Sequence, residues 1–214
     1  MADPRVTGLV VLESREALVD LESTGIMRFD DRKRSRNPHV ALVREELARR
    51  LEHATRLLPA GFGLLGIEGY RPPSLQRLFY DSYAERLRAC DLGLDEEAFA
   101  HVVSRFVAPP HIAPHPTGAA IDLTLCDQAG IELDLGSAVD ANPEVSAGRC
   151  YTSASGLPAT AAKNRAILVE VLHGAGLVNY PTEWWHWSFG DRYWAMSTGE
   201  NAAIYGPVDL PGTP

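Results

Sequence analysis

The sequence predicts an α+β fold, with helices packed against a mainly antiparallel sheet, and three observations carry that prediction. Apolar residues recur at helical spacing over residues 37–58, polar and apolar residues alternate over residues 119–126, and residues 63–68 form a short glycine-bounded apolar run that suits a buried strand. With 214 residues, 45% hydrophobic and 22% charged, the chain reads as one folded domain over 1–214, of which 1–36 is partly irregular.

Taken in order, residues 5–12 read as a short β-rich run. Over 37–58, Asn37 stands where an N-cap belongs, with Pro38 at the first helical position. Val40, Val43, Leu47, Leu51, Ala54 and Leu58 follow in steps of 3, 4, 4, 3 and 4, which makes one buried stripe. Pro59 and Gly61 stop that helix, and the strand over 63–68 then delivers Arg71 to a loop. Two amphipathic helices are predicted next, from Ser74 through Leu87 and from Asp95 through Phe106.

Four prolines between 109 and 116 forbid a regular helix, so His111 and His115 are not an i, i+4 helical pair. Beyond Gly118, Ile121, Leu123 and Leu125 share one strand face, while Asp122, Thr124 and Cys126 share the other, the pattern of a half-buried strand. A turn at residues 127–130 leads to a hairpin partner over 131–135, and residues 136–158 read as a long functional loop. The fourth helix covers 159–173, with Ala162, Ile167, Leu168, Val171 and Leu172 packed and Gly174 at its C′ position. Residues 184–189 are too aromatic to prefer a helix and read as a strand, which requires Glu183 to sit in the turn before it if Glu183 and His186 are to share one site.

Net charge of −8 argues against nucleic acid or an anionic membrane surface as partner, because both need a cationic footprint. The basic run Arg32-Lys33-Arg34-Ser35-Arg36 reads as a solvated loop, one expected to lie near a site for an anionic ligand. No stretch has the pattern of a signal peptide or approaches the ~18 apolar residues of a membrane span, so a cytoplasmic protein is expected. Cys90, Cys126 and Cys150 are odd in number and far apart, which suits reduced thiols. Oligomeric state is not legible.

The chemistry is concentrated in two stretches. His115 with Asp122, and Glu183 with His186, supply two histidines and two carboxylates, each pair at a junction of turn and strand. Three ligands that leave one coordination position free, plus a spare acid, are what a catalytic zinc site needs. In that reading His115, Asp122 and His186 hold one Zn2+, Glu183 is the general base, and the permanently charged Arg71 stabilises the oxyanion.

The pattern Gly69-Tyr70-Arg71-Pro72, then His115-x-x-Gly118-x-Ala120-x-Asp122 with Leu123-Thr124-Leu125, then Glu183-Trp184-Trp185-His186, resembles the zinc-dependent D-Ala-D-Ala dipeptidases of the D,D-carboxypeptidase and Hedgehog-like metal fold. The resemblance runs from about Asp20 to Val208. It implies the same zinc ligands, base and arginine, and it places Asp140 where the family holds the free amino group of a small peptide substrate. Two positions depart from the family. Ala113 replaces a serine two places before the first zinc histidine, and Ser23-Thr24-Gly25 lacks the family's tyrosine. These leave open a related carboxypeptidase or amidase acting on another D-amino-acid or natural-product peptide, and a binding protein that keeps the metal without turnover.

Overall fold

The computed structural model describes residues 3–90, 93–104 and 107–210. Its elements run α1 (Pro4–Thr7), β1 (Val10–Val11), β2 (Leu18–Asp20), β3 (Arg28–Phe29), β4 (Leu42–Arg44), α2 (Glu45–Leu57), β5 (Phe62–Glu68), α3 (Pro73–Arg88) and α4 (Glu96–Ser104). They continue as β6 (Ala120–Asp127), α5 (Pro143–Ser146), α6 (Ala159–Gly174), β7 (Val178–Asn179), β8 (His186–Ser188), α7 (Arg192–Thr198) and β9 (Ala202–Ala203). Among the described residues no helix is long and apolar enough to cross a membrane.

The α+β prediction holds. Five strands form the main sheet in the order β3-β5-β6-β8-β7, antiparallel at every pair but β3 with β5. Two small sheets flank it, β2 antiparallel with β4 and β1 parallel with β9. Leu47, Leu51 and Ala54 of α2 and Leu168, Val171 and Leu172 of α6 join Ile121, Leu123 and Leu125 of β6 in the core. Each fully buried leucine there contributes about 1.5–3 kcal/mol of hydrophobic stabilisation. A smaller cluster of Ala84, Phe99 and Val103 joins α3 to α4.

Several local expectations are corrected. Residues 4–7 are a helical turn, because Asp3 accepts the Arg5 N–H and Pro4 starts the helix; only Val10 and Val11 of the predicted strand pair. The helix predicted from Asn37 begins at Glu45. Val40 and Val43 are buried as the stripe required, but Val43 lies in β4 opposite Val19. Asn37 caps no helix; its side chain is buried and donates to Glu68 Oε1 and to the Tyr70 carbonyl.

Strand β6 is buried on both faces rather than one. The predicted hairpin partner of β6 is reduced to a bridge at Glu132 with flanking backbone bonds. Helix α6 leaves Ala162 exposed, and the left-handed residue after it is Gly176, not Gly174. Phe106, assigned to the helix seen as α4, lies outside the described residues.

Candidate active site

Sheet register assembles the site. Asp122 of β6 lies opposite Glu68 of β5 on one side and opposite His186 of β8 on the other. A register shift between Gly66 and Glu68 makes this possible. Regular pairing would set Ile67 against Asp122; the extra residue instead brings the Glu68 carboxylate alongside and leaves Ile67 in the core.

His115 reaches the same place from a 3-10 turn, His115–Thr117. Gly118 ends that turn at φ +69°, and a Cβ there would lie 2.3 Å from Leu18 Cδ2, so both backbone and space demand glycine. The buried Arg44 guanidinium steadies the turn by donating to the Thr117 carbonyl at 2.7 Å. Gly69 is equally constrained, since its Cβ would meet the Leu42 carbonyl oxygen at 2.5 Å. Its own carbonyl accepts from His115 Nδ1 at 2.7 Å.

The segment after β9 ties both loops together. Val208 accepts the Tyr70 hydroxyl at 2.6 Å through its carbonyl and donates its N–H to Pro116 at 2.9 Å.

The three predicted metal donors therefore converge. One ligand atom each from His115, Asp122 and His186 lie within 4.8 Å of one another, all on buried residues. Asp122 Oδ1 is 2.9 Å from His186 Nδ1 and 3.4 Å from His115 Nε2. The donor set suits a metal ion on its own chemistry. His115 spends Nδ1–H on Gly69, which fixes the tautomer and leaves an Nε2 lone pair facing Asp122. Burial alone would raise the Asp122 carboxyl, but His115, Lys33 and the histidine hydrogen bonds hold it well below the usual carboxylate range. It is thus an anion ready to ligate.

Glu183 sits in the turn ahead of β8, as strand geometry required. Asn179, which the sequence reading passed over, fixes that turn by donating Nδ2 to the Glu183 and His186 carbonyls at 3.1 and 3.0 Å. Burial pushes the Glu183 carboxyl up to about 7 against the opposing charge of His186, with Asp122 and Asp140 adding to the rise.

Arg71 lines the cavity with Glu183 and the metal donors. It donates Nε and Nη2 to the two oxygens of Glu68 and Nη1 to Gln76 Oε1. Lys33, expected in a solvated basic run, instead turns its ammonium into the site. Its ammonium lies 3.0 Å from Glu68, 3.4 Å from Asp122 and 2.9 Å from Asp140. A single lysine in a basic run carries no signal that distinguishes it from solvated neighbours.

Asp140 stands at the cavity edge, with its backbone in the left-handed region at φ 63°. Asn164 and Arg165 of α6 hold its loop from beneath: Asn164 donates to the Asp134 carbonyl, and Arg165 to the carbonyls of Leu135, Arg149 and Tyr151. The whole cavity has a volume of ≈ 1730 Å³ and includes Ala113 in its wall.

A buried histidine-aspartate-histidine cluster at one end of a mainly antiparallel sheet, open to a cleft that holds a further carboxylate and an arginine, defines a peptidase of the metal-dependent class. The chain belongs to the M15 peptidase family: the family model described as D-Ala-D-Ala dipeptidase matches residues 25–202. A D-alanyl-D-alanine dipeptidase of Synechocystis is 29% identical over 203 residues, covering 81% of each chain. The protein of the same name in Escherichia coli is 28% identical over 127 residues, covering 59% of this chain and 55% of its own. A solved vancomycin resistance D,D-pentapeptidase, VanY, in complex with Zn(II), aligns with a TM-score of 0.44 at 17% identity over 74% of this chain and 80% of its own.

Proposed function

We propose that this chain is a zinc dipeptidase that hydrolyses D-alanyl-D-alanine, with one Zn2+ held by His115, Asp122 and His186. The observation that carries the reading is the convergence of those three donors within 4.8 Å in a cavity shared with Glu183 and Arg71. Family membership and the two dipeptidase relatives support the substrate. Bound zinc supplies Lewis acidity, polarising the scissile carbonyl and acidifying the attacking water.

Glu183 accepts the water's proton and returns it to the leaving amine. Burial, which raises this carboxyl, opposes the pull of the cation and keeps it basic enough for both transfers. Arg71 has five N–H donors, of which Glu68 and Gln76 occupy three; the remaining two serve the oxyanion, and the occupied ones hold the guanidinium still. Asp140 takes the substrate's free ammonium in exchange for Lys33. The three cysteines are free thiols, which accords with a cytoplasmic setting.

One observation favours a second reading. The Lys33–Asp140 pair already neutralises the amine-binding carboxylate. If it stays closed, an N-acylated peptide fits as well as a free one, and the enzyme is a carboxypeptidase or amidase. Metal-replete protein assayed on D-Ala-D-Ala and its N-acetyl derivative separates the two. Cleavage of only the free dipeptide establishes the first reading, and cleavage of the acylated one establishes the second. Stoichiometric zinc with activity that survives Glu183→Ala overturns the mechanism of both.

A further inference from the structure

Helix α3 lines the active-site cavity with one face. Gln76, Phe79, Tyr83 and Arg86 stand at i, i+3, i+7 and i+10, so helical spacing sets them in a single row, and all four border the cavity. The row begins at Arg71. Gln76 accepts Arg71 Nη1 at 2.7 Å, and the Arg71 guanidinium lies 5.2 Å from the centre of the Phe79 ring. It ends at a second cation, the Arg86 guanidinium, 5.5 Å from the centre of the Tyr83 ring. Arg86 is exposed and, among the described residues, paired with no carboxylate. Phe79 is half-buried and belongs to neither hydrophobic cluster, so core packing does not account for it.

Contacts set the order in which a substrate meets these groups. Lys33 joins Asp140 at 2.9 Å to Glu68 at 3.0 Å, Glu68 joins Arg71, and Arg71 joins Gln76. Asp140 thus stands at one end of the run and α3 at the other, with the metal donor Asp122 beside Lys33 between them. A peptide whose amino end is held at Asp140, and whose first carbonyl lies at the donors and Arg71, continues toward α3. The cavity of ≈ 1730 Å³ exceeds the ~300–1,000 Å³ of pockets for drug-sized ligands, and a dipeptide is smaller than those ligands. At about 1.5 Å per helical residue the row from Gln76 to Arg86 is about 15 Å long, which about four residues of extended peptide would cover.

We infer that the α3 face of Phe79, Tyr83 and Arg86 is a leaving-side subsite, with which the enzyme removes the first residue from short peptides that have a free amino end and continue several residues past the scissile bond. The inference rests on reading Asp140 as the partner of the substrate amine and His115, Asp122 and His186 as the metal centre. Water adds its oxygen to the first carbonyl carbon, the C–N bond breaks, and the proton that Glu183 took from the water passes to the new amino end of the remaining peptide. Phe79 and Tyr83 offer ring faces to that chain, and Arg86 pairs with its terminal carboxylate. Stacking on Tyr83 keeps the guanidinium in the row. Glu85 borders the cavity too, but neighbours at i, i+1 on a helix face different ways.

The test assays metal-replete protein on D-Ala-D-Ala and on the D-alanine tripeptide and pentapeptide, each isotopically labelled at its first residue, with products read by mass spectrometry. The wild type should release the labelled residue from all three, with kcat/KM no lower for the pentapeptide than for the dipeptide. Arg86→Ala should lower the ratio of pentapeptide to dipeptide kcat/KM about fivefold, the upper scale of an exposed ion pair. Amidating the carboxyl end of the pentapeptide should lower the wild-type ratio by the same factor and leave that of the variant unmoved. Cleavage of the dipeptide alone, a first cut at any other bond of the longer peptides, or a ratio that Arg86→Ala does not change overturns the inference and leaves the proposed function standing. Zinc-loaded protein that cleaves none of the three removes that function and the inference with it.

Discussion

Glu68 grips Arg71 with both carboxylate oxygens, at 2.9 Å to Nε and 2.6 Å to Nη2, three residues apart across the end of β5. The same carboxylate receives Asn37 and Lys33, so it serves as the anionic hub of the site. Glu68→Ala leaves two cations facing a low-dielectric wall without it. We expect a loss of about 3–5 kcal/mol in denaturant unfolding, the scale for breaking one side of a buried pair.

The pH dependence of stability follows with a definite sign. Burial works to raise the Glu68 carboxyl, but Arg71 and Lys33 prevail and depress it. Its contribution is therefore fully present above the unfolded value of about 4.3 and is lost as pH falls through the depressed folded value. Urea titrations of wild type and Glu68→Gln should converge as pH drops below about 4. A constant gap between them across that range would contradict the assignment.

Glu183→Gln should lower kcat by about 10²–10⁴-fold while zinc content stays at the wild-type level. In the wild type, activity should rise with pH as Glu183 loses its proton. Burial pushes its carboxyl up to about 7 in the metal-free site, and a neighbouring dication lowers it. The acid limb of kcat/KM should therefore fall between about 4.3 and 7.

Lys33→Met tests the exchange at Asp140. Removing the competing ammonium should lower KM for a free dipeptide by about fivefold, on the scale of a 1 kcal/mol exposed pair. Asp140→Asn should raise it. Steady-state kinetics on both variants gives the answer, and KM moving in the same direction in both would contradict the exchange.

Metal removal should lower the melting temperature. At free zinc about 100-fold above its Kd, the ion adds about 2.7 kcal/mol, so chelation should bring the wild type down to the level of His115→Ala with or without zinc.

The legible part of this site was the part written in short sequence patterns. His115, Asp122 and His186 each lie at a turn or strand whose local signals were strong, and strand alternation alone required Glu183 to sit in a turn. What escaped was chemistry created by tertiary approach. Glu68 enters the site only through an extra residue in β5, which no pattern in residues 62–68 announces. Asn37 misled for a physical reason: the short polar side chain that suits an N-cap is equally suited to satisfy a stray backbone carbonyl, here that of Tyr70. The helical stripe from Val40 failed at its first turn because Val43 is buried by pairing with Val19 of β2 in β4, and Val40 is buried in the turn ahead of that strand.

Val208, which clasps the Tyr70 and Pro116 loops, also sets an order of events during synthesis. His115, Asp122, Glu183 and His186 all precede the segment that ties the His115 turn to the Arg71 loop, and β1 pairs with β9 across nearly the whole described chain. A nascent chain stalled after β8 would carry every reactive side chain but lack the clasp. Because the clasp joins residues far apart in the chain, its two hydrogen bonds are non-local contacts that form late in folding.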